Sequence, residues 1–226
     1  MDSTRIITID GPAASGKSTL AKKLAQKIGW SFLDTGLLYR ALAFAAQRAG
    51  LLEKGPEELG RFACQLKIKV LLEKDRNRVF LDGEELTDLL RTPMISRAAS
   101  QVSAVGQVRS SLRELQKTLG ERGNLVTEGR DQGSAIFPKA RLKFYLTASP
   151  EARAQRRYLE LGKDSGPLSA ILQSVLERDH QDSTRADDPL VIPAGAVKVD
   201  STDKSLESVF EFMLQKAISV FGVICK

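Results

Sequence analysis

Runs of apolar residues recur along the chain in two periodicities, which predict strands and helices in turn. Residues 5–9 form a short, mostly apolar run typical of a buried strand, and residues 17–28 carry an apolar stripe at helical spacing. Gly29 stops that helix, and residues 30–33 and 37–49 repeat the strand–helix unit. This rhythm favours a parallel sheet with helices packed on its faces.

A small antiparallel insert interrupts this alternation. Residues 66–72 alternate between apolar and polar positions, and a turn-rich stretch at residues 73–77 separates them from a second apolar run at residues 79–81. Such a pattern is typical of antiparallel strands joined by a turn. We expect the insert within residues 62–92, between two helices, as a small subdomain laid over the main sheet.

The second half of the chain returns to strands and helices in turn. Apolar positions recur at helical spacing from Ile95 to Gly120 and predict one long helix. Ser149 followed by Pro150 is a signal for the start of a helix. Further strands are predicted at residues 125–127, 142–146 and 197–199, and a closing helix begins near residue 206. The whole pattern predicts an α/β fold, a doubly wound parallel sheet in one domain over residues 1–226.

Composition supports one globular domain and disfavours a nucleic-acid binder. The chain has 226 residues, of which 42% are hydrophobic, enough for a sizeable core. Its formal charge of +6 would suit a nucleic acid, but the basic residues are scattered and only 6% of the residues are aromatic. Small anionic substrates account for the positive charge equally well, so we expect no nucleic-acid partner.

The sequence shows no targeting or metal-binding pattern. No apolar run approaches the roughly 20 residues of a membrane helix, and the first residues leave no room for a signal peptide. We therefore expect a cytoplasmic protein without a membrane partner. Cys64 and Cys225 lie far apart and match no metal-ligand spacing, so both are interpreted as reduced thiols.

One motif predicts a specific chemistry by itself. Residues 11–18 read Gly-Pro-Ala-Ala-Ser-Gly-Lys-Ser, a complete phosphate-binding loop (P-loop) between a predicted strand and a predicted helix. The backbone N–H groups of such a loop bind the phosphates of ATP, while Lys17 reaches the β- and γ-phosphates and the Ser18 hydroxyl binds Mg²⁺. A glycine-rich turn that binds nothing is the weaker interpretation. The residues expected to hold ATP are Gly11, Ala13, Ala14, Ser15, Gly16, Lys17, Ser18 and Thr19.

Arginines in the last third of the chain suggest how a second anion is bound. Arg178, Asp182 and Arg185 share one face of a predicted helix, and Arg157 lies in the helix before it. On pattern alone, a solvated face of ion pairs is an equally good interpretation. The P-loop favours a hinged lid at about residues 156–188, because phosphoryl transfer between two anions needs cations and a site closed to water.

The single histidine, His180, lies among these arginines but is not expected to act as a base. A phosphate acceptor is already an oxyanion at neutral pH, so no proton has to be removed from it. The chemistry requires positioning and positive charge, and His180 is interpreted as an exposed helix residue.

Several short motifs occur in one order and together resemble bacterial cytidylate kinases. After the P-loop they are Asp34-Thr-Gly-Leu-Leu-Tyr-Arg40, Ala99-Ser-Gln-Val102, Arg109, Gly129-Arg-Asp131 and Arg178-x-x-x-Asp182-x-x-Arg185. The resemblance covers nearly the whole chain, and the insert at residues 62–92 looks like the monophosphate-binding region of that family. The resemblance implies the nucleoside monophosphate kinase fold with an arginine-bearing lid.

The resemblance also implies a role for each matched residue. Substrate contacts are expected from Thr35, Arg40, Ser100, Arg109, Arg130, Asp131, Arg178, Asp182 and Arg185. The contacts to the acceptor phosphate are matched by Arg40, Arg130 and Arg185. Those to cytosine are matched by Ser100, Arg109 and Asp131. Those to ribose are matched by Arg178 and Asp182. The residues expected to act in catalysis are Lys17, Arg130, Arg157, Arg178 and Arg185. Glu128 is expected to organise Mg²⁺ with Ser18, although a strand-end surface residue is the alternative.

The implied reaction is transfer of the γ-phosphoryl group of Mg-ATP to CMP or dCMP, giving ADP and CDP or dCDP. Another P-loop kinase with a small acceptor is the nearest rival, and the insert together with Arg109 and Asp131 argues against it. A GTP-dependent switch would carry an Asn-Lys-x-Asp motif, which the sequence lacks. The expected partners are ATP and CMP or dCMP, and without a heptad seam we expect a monomer.

Overall fold

Five parallel strands form the central sheet of the protein. The computed structural model describes residues 5–73, 76–162 and 166–223. In spatial order the strands are β2 (Ser31–Asp34), β6 (Leu125–Gly129), β1 (Ile6–Asp10), β7 (Leu142–Thr147) and β8 (Val197–Asp200). The predicted parallel sheet is confirmed. The chain passes from β1 to β2 on one side and later from β6 across β1 to β7 on the other, which creates a crevice at the carboxyl ends of the strands.

The register of the strands brings four polar or glycine positions to one edge. Asp10 lies opposite Gly129 on the neighbouring β6, and Asp34 at the end of β2 lies opposite Glu128. All these residues end their strands on the same side because the strands are parallel. The edge therefore collects side chains from three separate parts of the chain.

Helices cover both faces of the sheet, as the pattern predicts. On one face lie α1 (Lys17–Ile28) and α8 (Leu206–Phe221), and on the other lie α2 (Gly36–Arg48), α3 (Pro56–Gln65), α4 (Pro93–Val102) and α5 (Gly106–Glu121). Ile7 and Ile9 pack in the cluster with α1 and α8, whereas Ile6 belongs to the opposite cluster. Asp10 follows this alternation and points away from α1 and α8.

The prediction of one long helix from Ile95 to Gly120 is wrong. The chain forms α4 and α5 with a break at residues 103–105, where Val105 is extended (φ −87°, ψ 117°). A Cβ at Gly106 would lie 2.3 Å from a carboxylate oxygen of Asp187, so a larger residue at the start of α5 would displace that side chain. After the break, Arg109 near the start of α5 donates to the Ser103 carbonyl at 3.3 Å.

The antiparallel insert is confirmed as a three-stranded sheet of β3 (Ile68–Leu72), β4 (Asn77–Leu81) and β5 (Glu84–Glu85). Its predicted start at residue 62 falls inside α3, which the apolar pattern did not reveal. The Asn77 amide donates to the Phe32 carbonyl and accepts from the Asp34 N–H, both at 2.7 Å. Asn77 thereby covers the free edge of β2. Of the predicted turn, residues 74 and 75 lie outside the described part.

Two helices form the region of the predicted lid, α6 (Pro150–Leu161) and α7 (Leu168–Thr184). The Ser149 hydroxyl accepts from the Ala152 N–H at 3.2 Å, which confirms the predicted start of α6. The two helices share a small apolar core of Ala154, Ile171 and Val175. Residues 163–165 of the predicted lid lie outside the described part.

In the segments that the structure describes, no helix is long and apolar enough to cross a membrane. Cys64 is an exposed free thiol, and Cys225 lies outside the described residues. His180 is exposed, as expected.

Candidate active site

The P-loop connects β1 to α1 through a backbone that glycine makes possible. Gly11 has a φ of +149°, and a Cβ there would lie 1.9 Å from the Leu146 carbonyl oxygen. Gly16 caps α1 with a φ of +91°. Ala14 also has a positive φ, of 56°, where an L-residue is strained. The loop curls tightly at the start of α1, where backbone N–H groups and the helix dipole favour an anion.

Lys17 lies buried inside the loop. Its ammonium donates to the Pro12 carbonyl at 2.6 Å and to the Ser15 hydroxyl at 3.2 Å. Burial lowers the pKa of Lys17, and the positive charge of Arg130 lowers it further. A phosphate in the loop would supply the negative charge that this ammonium lacks.

Ser18 and Glu128 meet at the carboxyl edge of the sheet. The Ser18 hydroxyl donates to a carboxylate oxygen of Glu128 at 2.6 Å. Glu128 is buried, so the alternative that it is a strand-end surface residue is wrong. Burial raises the pKa of Glu128, and the negative charge of Asp34 raises it further. The pair offers two hard oxygen ligands beside the P-loop, the type that Mg²⁺ prefers.

Charged side chains at the C-terminal end of α7 point into the site and not into solvent. Asp182 accepts from the Arg130 Nε at 2.7 Å and lies 3.5 Å from Arg185 Nη1. The Arg185 side chain is only 6% exposed, which contradicts a solvated face of ion pairs. Although burial opposes it, the positive charges of Arg130 and Arg178 hold the pKa of Asp182 below its ordinary value. The predicted cluster of Arg130, Arg178, Asp182 and Arg185 is thus brought together.

Two arginines of this region carry buried N–H groups that lack acceptors. The Nη1 of Arg40 and the Nε of Arg178 have no hydrogen-bond partner within the described ranges. Arg40 Nη1 lies 3.9 Å from an Asp34 carboxylate oxygen. Burial and the charge of Arg130 lower the pKa of Arg178 to about 10. Unpaired donors and crowded positive charge indicate that an anion binds between these arginines.

Two of the residues predicted to read the base form a buried ion pair. Arg109 on α5 and Asp131, just after β6, are each less than 5% exposed and pair through Arg109 Nη2. The Arg109 guanidinium also lies 5.7 Å from the centre of the Tyr39 ring. The third predicted base reader, Ser100 on α4, donates its hydroxyl to the Gln181 side chain on α7 at 3.1 Å.

Two predicted residues have other contacts in the structure. The Thr35 hydroxyl donates to the Glu128 carbonyl at 2.8 Å, so it supports the strand end. Arg157 pairs with Glu160 at 2.7 Å on the outer side of α6 and is one-third exposed. A substrate role for Thr35 and a catalytic role for Arg157 remain predictions.

Sequence reasoning missed Arg153, which links three parts of the site. It is 3% exposed, and its guanidinium donates to the carbonyls of Ala148 (2.9 Å) and Ala13 (3.2 Å). It also forms an ion pair with Asp179 on α7 at 2.6 Å. In the sequence Arg153 cannot be told from Arg156 and Arg157, because only the fold shows which of them points inward.

Asp10 and Gln132 were missed as well. The carboxylate of Asp10 accepts from the backbone N–H groups of Gln132 and Gly133, each at 2.7 Å. The Gln132 amide donates to Asp131 at 3.2 Å and to Gln116 at 2.9 Å. The only signal in the sequence was a charged residue at the end of an apolar run, directly before the P-loop.

These parts serve one chemistry together. A loop that binds phosphate, a pair of hard oxygens and arginines that converge from a separate helical region are all used when a phosphoryl group passes between two anions. The fold and the site therefore define a P-loop kinase.

Comparison with known proteins gives the family. Residues 7–219 match the family model described as cytidylate kinase, and the chain belongs to that family. Curated cytidylate kinases of Pseudomonas fluorescens strains Pf0-1 and Pf-5 are 43% and 44% identical over 215 residues, 93% of this chain and 94% of each relative. The cytidylate kinase of Stutzerimonas stutzeri is 43% identical over the same shares. Family membership argues against a GTP-dependent switch.

Proposed function

We propose that the chain transfers the γ-phosphoryl group of ATP to CMP or dCMP and releases ADP with CDP or dCDP. The observation that carries the proposal is the buried Arg109–Asp131 pair, whose charges act on Arg185 and which lies at the same sheet edge as the P-loop. Family membership supports the same acceptor.

The P-loop binds the donor. Its backbone N–H groups and the start of α1 hold the phosphates of ATP, while the Lys17 ammonium moves from the Pro12 carbonyl to the β- and γ-phosphates. Arg153 stabilises the P-loop, because its guanidinium donates to the Ala13 carbonyl. The rigid loop thus presents the γ-phosphoryl group without further rearrangement.

Ser18 and Glu128 fit Mg²⁺ as a cofactor. Their oxygens are 2.6 Å apart and both are hard donors, so we assign Ser18 to the metal and Glu128 to its hydration shell. A Mg²⁺ ion held by these residues would help to neutralise the charge that develops during transfer.

The acceptor phosphate binds among Arg40, Arg130 and Arg185, whose guanidinium groups suit fork-like contacts to phosphate oxygens. The orphan Nη1 of Arg40 and the lowered pKa of Arg178 support a negative charge at this point. The acceptor attacks as an oxyanion, so no general base is required. Arg178 and Arg185 also neutralise the transferred group when α7 closes on the substrates.

Cytosine is read by hydrogen bonds. The base offers an amino donor that the Asp131 carboxylate accepts, and its carbonyl and ring nitrogen accept from Arg109 and Ser100. Asp182 accepts from a ribose hydroxyl, and Arg178 lies beside it. Uracil presents a carbonyl where cytosine presents the amino group, so Asp131 repels it.

The proposal includes a cytoplasmic monomer with no nucleic-acid or membrane partner. Its support is the small anionic nature of the substrates and the scattered basic residues. Size-exclusion chromatography with light scattering tests the monomer directly.

The purified protein, ATP and CMP in a coupled assay for ADP release test the activity. We expect turnover with Mg²⁺, its loss in EDTA, and recovery when Mg²⁺ is restored in excess. Turnover that persists in EDTA would remove Ser18 and Glu128 from metal binding. No CMP-dependent ADP release under any condition would overturn the proposed function.

A further inference from the structure

Asp10 is a fully buried carboxylate that no step of the proposed reaction uses. It ends β1 and is followed directly by Gly11, the first residue of the P-loop. Its two oxygens accept from two successive backbone N–H groups, those of Gln132 and Gly133, each at 2.7 Å. Within the described residues no cation lies at ion-pair distance from it. Both oxygens of the carboxylate therefore accept hydrogen bonds from one short backbone segment.

That segment carries the residue assigned to the base. Asp131 directly precedes it, and residues Gln132–Ile136 form a single π-helical turn, in which the first N–H groups have no partner of their own. Asp10 accepts from these orphan donors. The Gln132 side chain, anchored by the same backbone, donates to the Asp131 carboxylate at 3.2 Å. A chain of contacts therefore runs from Asp10 through Gln132 to Asp131.

Gly133 gives independent support, because its lack of a side chain lets the turn lie close to both Thr8 and Asp10 at the end of β1. A Cβ at this position would lie 2.7 Å from the Thr8 hydroxyl and 3.1 Å from Asp10 Oδ2. Burial also raises the pKa of Asp10 to about 7, so the carboxylate is a costly group to keep in the core. The two hydrogen bonds offset part of that cost, because without the carboxylate the N–H groups of Gln132 and Gly133 would be buried without an acceptor.

We propose that Asp10 is a positioning residue: it holds the backbone at Gln132 and Gly133 so that Asp131 faces the base at a fixed distance from the P-loop. The inference rests on the proposed function, because the base contact of Asp131 is part of it. Asp10 directly precedes the P-loop in sequence and bonds to the backbone that directly follows Asp131. It therefore sets the distance between the ATP site and the residue that contacts the base.

The test is steady-state kinetics of Asp10→Asn with CMP, UMP and ATP. Asparagine has the same shape but only one acceptor oxygen, so its amino group faces one of the two N–H groups and displaces the turn. We expect kcat/KM for CMP to fall by about 10²-fold. The CMP to UMP preference is expected to fall about tenfold, and the KM for ATP to change less than about threefold.

Ile9→Ala is the matched control. Ile9 is the preceding residue on the same strand, is fully buried, and packs on the opposite face with α1 and α8. The substitution lowers the stability of the protein but removes no hydrogen bond to the turn. Its CMP to UMP preference should therefore equal that of the wild type.

Gly133→Ala provides a second route if Asp10→Asn does not fold. It pushes the turn from Asp10 without changing the carboxylate, and the same loss of base preference is expected. Equal losses for CMP, UMP and ATP in both variants, or an unchanged preference in folded protein, would overturn the inference. A wild type that does not phosphorylate CMP would instead overturn the proposed function.

Discussion

At the scale of single residues, Lys17 shows that function and stability are opposed in this site. Its ammonium is buried next to Arg130, and both burial and that positive charge lower its pKa. Without phosphate, the protein therefore keeps a cation where the environment disfavours it. Such a residue is retained for the ligand and not for the fold.

Replacing Lys17 with Met should reduce turnover by about 10³-fold, because the charge acts on the transferred phosphoryl group. The same variant should melt at a higher temperature than the ligand-free wild type at pH 7, since a disfavoured buried cation is gone. Turnover and thermal unfolding of the two proteins check both parts. Near-normal turnover would remove Lys17 from the mechanism.

The stability gain of Lys17→Met should depend on pH in a defined direction. A lysine with a lowered pKa in the folded state gives up its proton there before the unfolded chain does, whose pKa is near 10.5. The wild type therefore gains stability as pH rises from the lowered pKa toward that value. The advantage of the variant is largest at low pH and disappears near pH 10.

Ala14 offers a prediction about strain in the P-loop. Its φ of 56° costs an alanine about 1–2 kcal/mol, and glycine adopts it freely. Replacing alanine with glycine also lowers the free energy of unfolding by about 0.4–1 kcal/mol, because the unfolded chain gains conformational entropy. Ala14→Gly should thus stabilise the protein by about 0.5–1 kcal/mol in urea unfolding. A clear loss of stability would mean that the loop does not hold this backbone in solution.

The sequence revealed those site residues that sit in local motifs. Lys17 and Ser18 were found because glycines, a strand and a helix surround them at fixed spacing. Asp10 and Arg153 were missed because their partners, Gln132 and Asp179, are distant in sequence and become neighbours only through the fold.

At the scale of elements, Arg153 joins α6, α7 and the P-loop. Its guanidinium donates to the Ala13 and Ala148 carbonyls and pairs with the Asp179 carboxylate. A displacement of α7 would therefore also displace the P-loop. This linkage gives the proposed lid a mechanical connection to the nucleotide site.

Arg153→Met should destabilise the protein by about 2 kcal/mol or more, because two carbonyls and a partly buried carboxylate lose a charged donor. It should also raise the KM for ATP. Arg157→Met is the control on the same helix: its partner Glu160 is exposed, so a change below about 0.5 kcal/mol is expected. Urea unfolding of both variants makes the comparison, and the KM for ATP is measured for Arg153→Met against the wild type. Equal effects of the two substitutions would contradict the role given to Arg153.

Element boundaries were harder to predict than element types. The apolar stripe from Ile95 to Gly120 continues through the break between α4 and α5, since both helices pack on the same core. At the break Gly106 lies against Asp187, a contact that periodicity cannot reveal. The insert was recognised by its alternation, whereas α3 was not separated from it.

At the scale of the whole molecule, the parallel sheet is what assembles the site. Asp10, Asp34 and Glu128 end three strands at one edge, and the P-loop, Asp131 and the arginines of α7 gather around it. Parallel order could be predicted from the alternation of strands and helices. The position of β6 between β1 and β2, which places Glu128 beside Ser18, could not be derived from periodicity.

The central claim is that this edge binds CMP through Asp131 while the P-loop holds ATP. The most direct measurement is kcat/KM of the wild type and of Asp131→Asn with CMP and UMP, at saturating Mg-ATP. The wild type should prefer CMP by roughly 10² or more, because a site built around a buried hydrogen bond rejects the base that lacks the donor. Asp131→Asn should narrow that preference, since an amide can turn to donate to the uracil carbonyl. A wild type that uses UMP as well as CMP, or a preference that the substitution leaves unchanged, would contradict the account.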